Sequence, residues 1–335
     1  MKVCIVGSGA VGGLVGSGFA RAGADLTLVD VGRHLEAIRS RGLRVIMQDG
    51  EERVVRPLLA TDRLDEVPTQ DLVVLALKAH DIPQVAPGLA PLLGEESLLH
   101  HIQNGLPWWY FQRHEGPHDG RRIQALDPTG VLTESMDPSR ILGCVPFPAS
   151  RVEEPGVIRH VEGNRFPVGE LDGQTTERAT GVAELFTRAG FKSFVIDDIR
   201  SEIWLKLWGN LSFNPISALT HATMEEICQV PDSRDLVQAL MTEAKDVAER
   251  LGVRFRVPIE KRIAGAEKVG AHKTSTLQDV EAGRTMEIEA LLGAPRELGR
   301  LVGIPTPHMD TVYACARLLE ETITRHNVGI RAGPV

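Results

Sequence analysis

Along the first half of the chain, short runs of β-branched and aliphatic residues alternate with stretches of helical spacing. Residues 2–6, 25–30, 43–47, 71–77 and 97–102 read as strands, and 11–22 and 34–41 as helices between them. This alternation predicts a parallel βαβ sheet, with Gly23 and Gly42 standing where helix C-caps fall. Residues 105–120 break the pattern, because Pro107, Trp108, Trp109, Tyr110 and Phe111 stand together before a polar stretch rich in His and Gly. Between 141 and 169 the chain reads as short strands and turns, with Pro155-Gly156 as a turn before a strand at 157–159, which suits an antiparallel sheet edge.

One more helix-strand pair, 176–189 and 191–196, precedes a change to almost unbroken helical periodicity. A boundary near Asp197 therefore divides a sheet domain, 1–196, from a helical domain, 197–330. In the second, Leu236, Leu240, Val247 and Leu251 line one face of an amphipathic helix that Gly252 ends, with Glu243, Asp246 and Arg250 turned away. The tail, 327–335, is expected to be loosely held.

A length of 335 residues fits two domains, each large enough for its own core. The net charge of −8 and the absence of any basic block beyond the pair Arg121 and Arg122 argue against a nucleic-acid partner and for a small molecule. Cys4, Cys144, Cys228 and Cys315 lie far apart, so neither a metal site nor a disulfide framework is expected. No apolar run approaches the ~20 residues of a membrane span, and the run at 3–6 is too short for a secretory signal. A cytoplasmic location is the resulting expectation.

Gly7-Ser8-Gly9-Ala10-Val11-Gly12 lies between the first strand and the first helix. In that context Gly7 permits a tight turn, Gly9 lets backbone approach a pyrophosphate, Gly12 allows close helix-strand packing, and the helix N-terminus faces the anion. An acidic residue, Asp30, ends the second strand, where a carboxylate accepts hydrogen bonds from ribose hydroxyls and repels a 2′-phosphate. That favours NADH, although Arg33 is close enough in sequence to meet a 2′-phosphate instead.

Trp204-Leu205-Lys206-Leu207-Trp208-Gly209-Asn210-Leu211-Ser212-Phe213-Asn214-Pro215 carries the second constellation. Lys206, Asn210 and Asn214 recur every four residues and share one helical face in an otherwise apolar segment. Solvent or a ligand must meet them, since a core cannot hold three unpaired polar groups. Pro215 is expected to end or kink the helix just after Asn214.

Taken with Leu77-Lys78-Ala79, Asn104-Gly105, Ser275 in Thr-Ser-Thr-Leu-Gln-Asp and Glu287 in Met-Glu-Ile-Glu, these motifs resemble the ketopantoate reductase (2-dehydropantoate 2-reductase) family over nearly the whole chain. The resemblance implies a Rossmann-type α/β dinucleotide-binding domain followed by an all-α domain, with substrate in the cleft between them. It implies NAD(P)H-dependent reduction of a 2-oxo acid, by default 2-dehydropantoate, with Lys206 as proton donor and Glu287 beside it. It also implies that Asn104, Asn210, Asn214 and Ser275 hold substrate, and that Lys78 and Asn104 face the nicotinamide. A homodimer is left open.

The residues themselves admit plainer roles. Ser275 and Gln278 satisfy an S-x-x-Q capping box, Lys78 and Asn104 fit loop and turn positions, and Glu287 suits the first turn of a helix. Several positions depart from the family pattern. Val31 stands where NADP-using members commonly carry arginine, and Leu292 where asparagine is frequent, while Pro295 interrupts the following helix. The aromatic segment after Asn104-Gly105 either covers the substrate, which would suit a bulkier 2-oxo acid, or plugs a core. A non-catalytic dinucleotide sensor is the alternative of another class, but it would not require Lys206, Asn210, Asn214 and Glu287 together.

Overall fold

Val3, Cys4, Ile5 and Val6 are apolar in succession and buried on both faces, the signature of a central parallel strand. In a computed structural model describing residues 1–331, they form β1 (Lys2–Val6), an interior strand of a seven-stranded sheet. The chain continues through α1 (Ala10–Arg21), β2 (Asp25–Val29), α2 (Gly32–Arg41), β3 (Leu43–Ile46), β4 (Glu52–Val55), β5 (Leu59–Thr61) and β6 (Gln70–Leu75). There follow α3 (Ile82–Val85), β7 (Leu93–Ile102), α4 (Val131–Ser135), β8 (Ile141–Cys144), β9 (Ala149–Glu154), β10 (Val157–Glu162), β11 (Val168–Glu170) and α5 (Glu177–Arg188). The main sheet runs β11-β8-β7-β6-β1-β2-β5 and is parallel except for the edge strand β11. Chain order reverses between β1 and β6, so the C-terminal ends of those strands, at Gly7 and Ala76, flank the switch point where doubly wound sheets bind ligands.

Three expectations about strands need correction. Residues 43–47 do not join the main sheet: β3 enters a second sheet, β4-β3-β10-β9, and β5 takes the place beside β2. The cause is the Asp49-Gly50 turn, which folds β4 back on β3 as a hairpin, while β5 is only three residues long and carries little pattern. Pro155-Gly156 does make a turn, but the β9-β10 hairpin it joins belongs to the second sheet, and the antiparallel edge of the main sheet is β11. Residues 191–196 form only isolated bridges, at Lys192 and Val195. Helix α1 lies between the two sheets, touching β1 and β2 as well as β3, β4, β9 and β10.

Trp108, Trp109, Tyr110 and Phe111 are all at most 2% exposed, so the aromatic segment is a core plug and offers no surface to a substrate. Trp109 packs on β8, its ring 2.9 Å from where a Cβ on Gly143 would stand. On β7, His100 packs against Phe186 and His101 against Trp108. Burial depresses both imidazoles, His100 to about 3 and His101 to about 4, so both are neutral at physiological pH.

The chain divides into two units. Met1–Gln103, Trp108–Arg122 and Thr129–Ile199 make up the first, while Asn104–Pro107 and Ile123–Pro128 group with the residues from Arg200 onward. A single cut near Asp197 therefore misplaces two short segments, including Asn104. The second unit is helical: α6 (Ile199–Thr220), α7 (Met224–Gln229), α8 (Pro231–Arg250), α9 (Ile259–Glu267), α10 (Ser275–Glu281), α11 (Ala294–Val302) and α12 (Pro307–His326). Glu243, expected on the outer face of α8, is buried, and its carboxylate accepts the His308 and Met309 N–H groups at the start of α12 at 2.9 and 3.0 Å. A carboxylate is favoured there by the unpaired amides and dipole of a helix N-terminus. The tail is held as far as it is described, the Ile330 N–H donating to the Val280 carbonyl at 3.1 Å; residues 332–335 lie outside the described part. Among the described residues no helix is long and apolar enough to cross a membrane.

Candidate active site

The Gly-rich loop turns at Gly7, whose φ of +93° and 2.8 Å approach to the Ala76 carbonyl from a hypothetical Cβ exclude other residues. A Cβ on Gly12 would stand 1.9 Å from the Gly7 carbonyl oxygen, so packing requires that glycine too. Gly9 differs, because a Cβ there would meet nothing within 4 Å. Its missing side chain leaves room at the N-cap of α1, beside the unpaired N–H groups of Ala10 and Val11, as a pyrophosphate requires. Lys78, half-buried, follows Ala76 and Leu77 in the turn after β6, the other side of the switch point.

Asp30, just beyond β2, holds this loop. Its Oδ2 accepts the Ser8 N–H at 2.8 Å and the Ser8 hydroxyl at 2.7 Å, and its Oδ1 accepts the Val31 N–H at 2.7 Å. The carboxylate is thus fixed with its negative charge beside the loop, and Val31 next to it is 69% exposed. A further residue, His34, passed unnoticed in the sequence. It reaches the Ser8 carbonyl from the first turn of α2, and its only sequence signal is a place four residues beyond Asp30.

In the second unit, α6 carries Lys206 and Asn210 half-buried and Asn214 at 8% exposure, all on one face. Trp204, Leu207, Trp208, Leu211 and Phe213 are buried around them, so the helix is not a surface helix with a solvated stripe. Pro215 neither ends the helix nor separates it from Asn214, since α6 runs on to Thr220. Burial along its length outweighs the lost hydrogen bond, and the Leu211 carbonyl is left without its helical N–H donor.

Lys206 Nζ donates to Asn104 Oδ1 at 2.7 Å across 102 residues of sequence. An amide oxygen orients the ammonium without neutralising it. Asn104 is itself fixed by its neighbours. Gly105 has φ +79°, a Cβ on it would stand 2.6 Å from the Ala290 carbonyl oxygen, and the Leu106 N–H donates to that carbonyl at 2.9 Å. Ala290 belongs to a π-turn, Glu289–Gly293, a feature frequent at functional sites. Glu287, half-buried, lies just ahead of that turn, its carbonyl accepting the Leu291 N–H at 3.0 Å. The Asn104 and Glu287 segments therefore meet at Ala290. Ser275 is exposed at the first position of α10 and is not the cap: Thr274 accepts the Leu277 N–H at 3.2 Å, while Gln278 donates to the Lys273 carbonyl. Thr274 is the cap because the helix starts one residue earlier than the S-x-x-Q reading placed it. Among the described residues no cluster of three or more His, Cys, Asp or Glu side chains is placed to hold a metal.

Fold and site define a protein of the Rossmann-type dinucleotide-binding class, joined to an all-helical unit that presents a half-buried lysine. Residues 3–173 match the family described as Ketopantoate reductase PanE/ApbA, and residues 198–320 match Ketopantoate reductase PanE/ApbA C terminal. The chain belongs to this family. It is 51% identical to a 2-dehydropantoate 2-reductase of Mesorhizobium japonicum, covering 95% of this chain and 98% of that protein. A solved structure of the ketopantoate reductase type from Ralstonia solanacearum MolK2 is 38% identical with a TM-score of 0.91, over 96% of this chain and 98% of the other. A PanE/ApbA family ketopantoate reductase from Ralstonia eutropha JMP134 is 26% identical with a TM-score of 0.83, over 97% of this chain and all of the other (100%).

Proposed function

We propose that this chain reduces 2-dehydropantoate to pantoate with NAD(P)H. The observation that carries this reading is the Lys206–Asn104 pair, in which a half-buried ammonium on α6, whose polar face continues through Asn210 and Asn214, is aimed by a neutral partner from the segment after β7. The 51% identical 2-dehydropantoate 2-reductase supports the choice of substrate. When bound, the reduced nicotinamide supplies a hydride to the ketone carbon. The oxygen then becomes an alkoxide that needs a proton and a positive field, and Lys206 offers both. Asn104 orients that ammonium, and Glu287 serves beside Lys206. Asn210, Asn214 and Ser275 hold the substrate's hydroxyl and carboxylate, and Lys78 faces the nicotinamide.

The burial of the aromatic segment removes the reason to expect a bulkier acid. Initial rates with 2-dehydropantoate and a panel of 2-oxo acids, each with NADH and NADPH, test the proposal. A turnover of 2-dehydropantoate exceeding that of every other acid supports it, and inactivity with all of them overturns it.

For the cofactor we propose a preference for NADH, since Asp30 fixes a negative charge at the end of β2 with the exposed Val31 beside it. Asp30→Asn is the informative variant, because an amide oxygen still accepts the Ser8 N–H while the charge is gone. It should narrow the NADH preference in kcat/KM by about tenfold, a modest share of the cost of juxtaposed like charges. A wild-type preference for NADPH that survives Asp30→Asn and disappears in Arg33→Ala overturns this choice.

A further inference from the structure

Ser8 is gripped from both ends. Asp30 takes its N–H and hydroxyl, and His34 Nε2 lies 3.0 Å from its carbonyl oxygen. The other ring nitrogen of His34, Nδ1, is 3.1 Å from the backbone nitrogen of Gly156. A backbone N–H can only donate, so Nδ1 accepts and carries no proton, and the proton on Nε2 is donated to Ser8. Both nitrogens of the neutral ring are therefore used, one on the Gly-rich loop and one on the β9-β10 turn.

Gly156 is a firm anchor. Its carbonyl accepts the Arg44 N–H from β3 at 2.9 Å, its φ is +80°, and a Cβ on it would stand 2.8 Å from the Cβ of Ala37 in α2. On the same hairpin, Ile158 of β10 reaches within 2.9 Å of where a Cβ on Gly13 of α1 would stand. The second sheet is thus seated against both helices that flank the loop. Backbone donors bind an anion well only when they are held in place before it arrives.

We propose that His34 is a positioning residue for the dinucleotide: it carries the fixed position of the β9-β10 turn to Ser8 and so sets the N-cap at Gly9 and the Ala10 and Val11 amides that face the pyrophosphate. The second sheet acts as a brace for the cofactor loop. This inference rests on the reading that the loop binds a nicotinamide dinucleotide.

The test uses the full chain with His34→Phe, which fills similar volume and makes neither bond, and with His34→Gln and His34→Asn. Measured are Kd for NADH and NADPH by fluorescence titration, kcat at saturating cofactor, and Tm. His34→Phe should weaken cofactor binding about tenfold, as expected for losing one or two net hydrogen bonds, with kcat within about twofold of wild type. His34→Gln, which can still donate toward Ser8, should recover more affinity than His34→Asn, which can serve Gly156 alone. A folded His34→Phe with wild-type Kd overturns the proposal, as does a loss confined to kcat. Should that variant fail to fold, equal affinities for the Gln and Asn variants overturn it. If the wild-type chain binds neither cofactor, the functional reading itself fails; if it binds and His34→Phe binds equally, only the brace fails.

Discussion

The loop after β1 and the polar face of α6 differ in the atoms they offer. The loop presents backbone amides around a space that Gly9 leaves empty, and Gly7 and Gly12 are required because a Cβ on either would collide with neighbouring backbone. The helix presents side chains, Lys206, Asn210 and Asn214, and recruits Asn104 from 102 residues away. A backbone site is damaged by atoms added and a side-chain site by atoms removed. The first kind is written in contiguous sequence, whereas the second exists only once distant segments meet.

The largest effect expected from this contrast lies on α6. Lys206→Ala should lower kcat/KM by roughly 10²–10⁴-fold, the usual contribution of a positioned acid-base group. Cofactor Kd should stay near wild type, since the loop is intact. A loss of less than about threefold in a folded variant would remove Lys206 from the chemistry.

Trp109→Ala tests whether the aromatic segment belongs to either site. A fully buried tryptophan replaced by alanine costs about 3–5 kcal/mol of stability. Denaturant unfolding should show that loss, with the KM for the 2-oxo acid little changed in the protein that remains folded. A raised KM at unchanged stability would restore the aromatic segment to the substrate.

Acid should act on the sheet rather than on the site. In the unfolded chain His100 and His101 titrate near 6.5, and in the fold burial holds them to about 3 and about 4. The unfolded state therefore binds more protons below pH 6.5, and stability falls as pH drops through that window. Between pH 7 and 5 each histidine should cost about 2 kcal/mol. Replacing both with asparagine should flatten the slope whatever it does at pH 7, and an unchanged slope would show that neither histidine causes it.

The smallest effect isolates the loop. Gly9→Ala adds a methyl group where no protein atom stands, so Tm should barely move. Crowding the ligand by one carbon costs about 1–3 kcal/mol, which corresponds to a cofactor Kd raised roughly ten- to hundredfold. If Gly9→Ala bound cofactor as wild type does, the space at Gly9 would not be the pyrophosphate site.

The parallel sheet and the helical second unit follow from periodicity, and the Gly-rich loop from its place between strand and helix. Those patterns are local: four consecutive buried apolar residues in β1, or polar residues every four along α6, declare themselves without any partner. Where several local solutions compete, the sequence is silent about the winner. Leu43 and Val45 fit either sheet, and the choice fell to the hairpin at Asp49-Gly50 and to a three-residue β5 that is too short to read.

Tertiary structure alone decided the rest. It buried Trp108, Trp109, Tyr110 and Phe111, carried α6 through Pro215, turned Glu243 inward to cap α12, and moved the cap of α10 from Ser275 to Thr274. It also set Asn104 against Lys206 by docking Gly105 and Leu106 on Ala290, and placed His34 between Ser8 and Gly156. Each is a contact between segments far apart in the chain. Its free energy comes from desolvation and partner geometry that do not exist until those segments are packed, so composition and spacing can nominate the residues but not pair them.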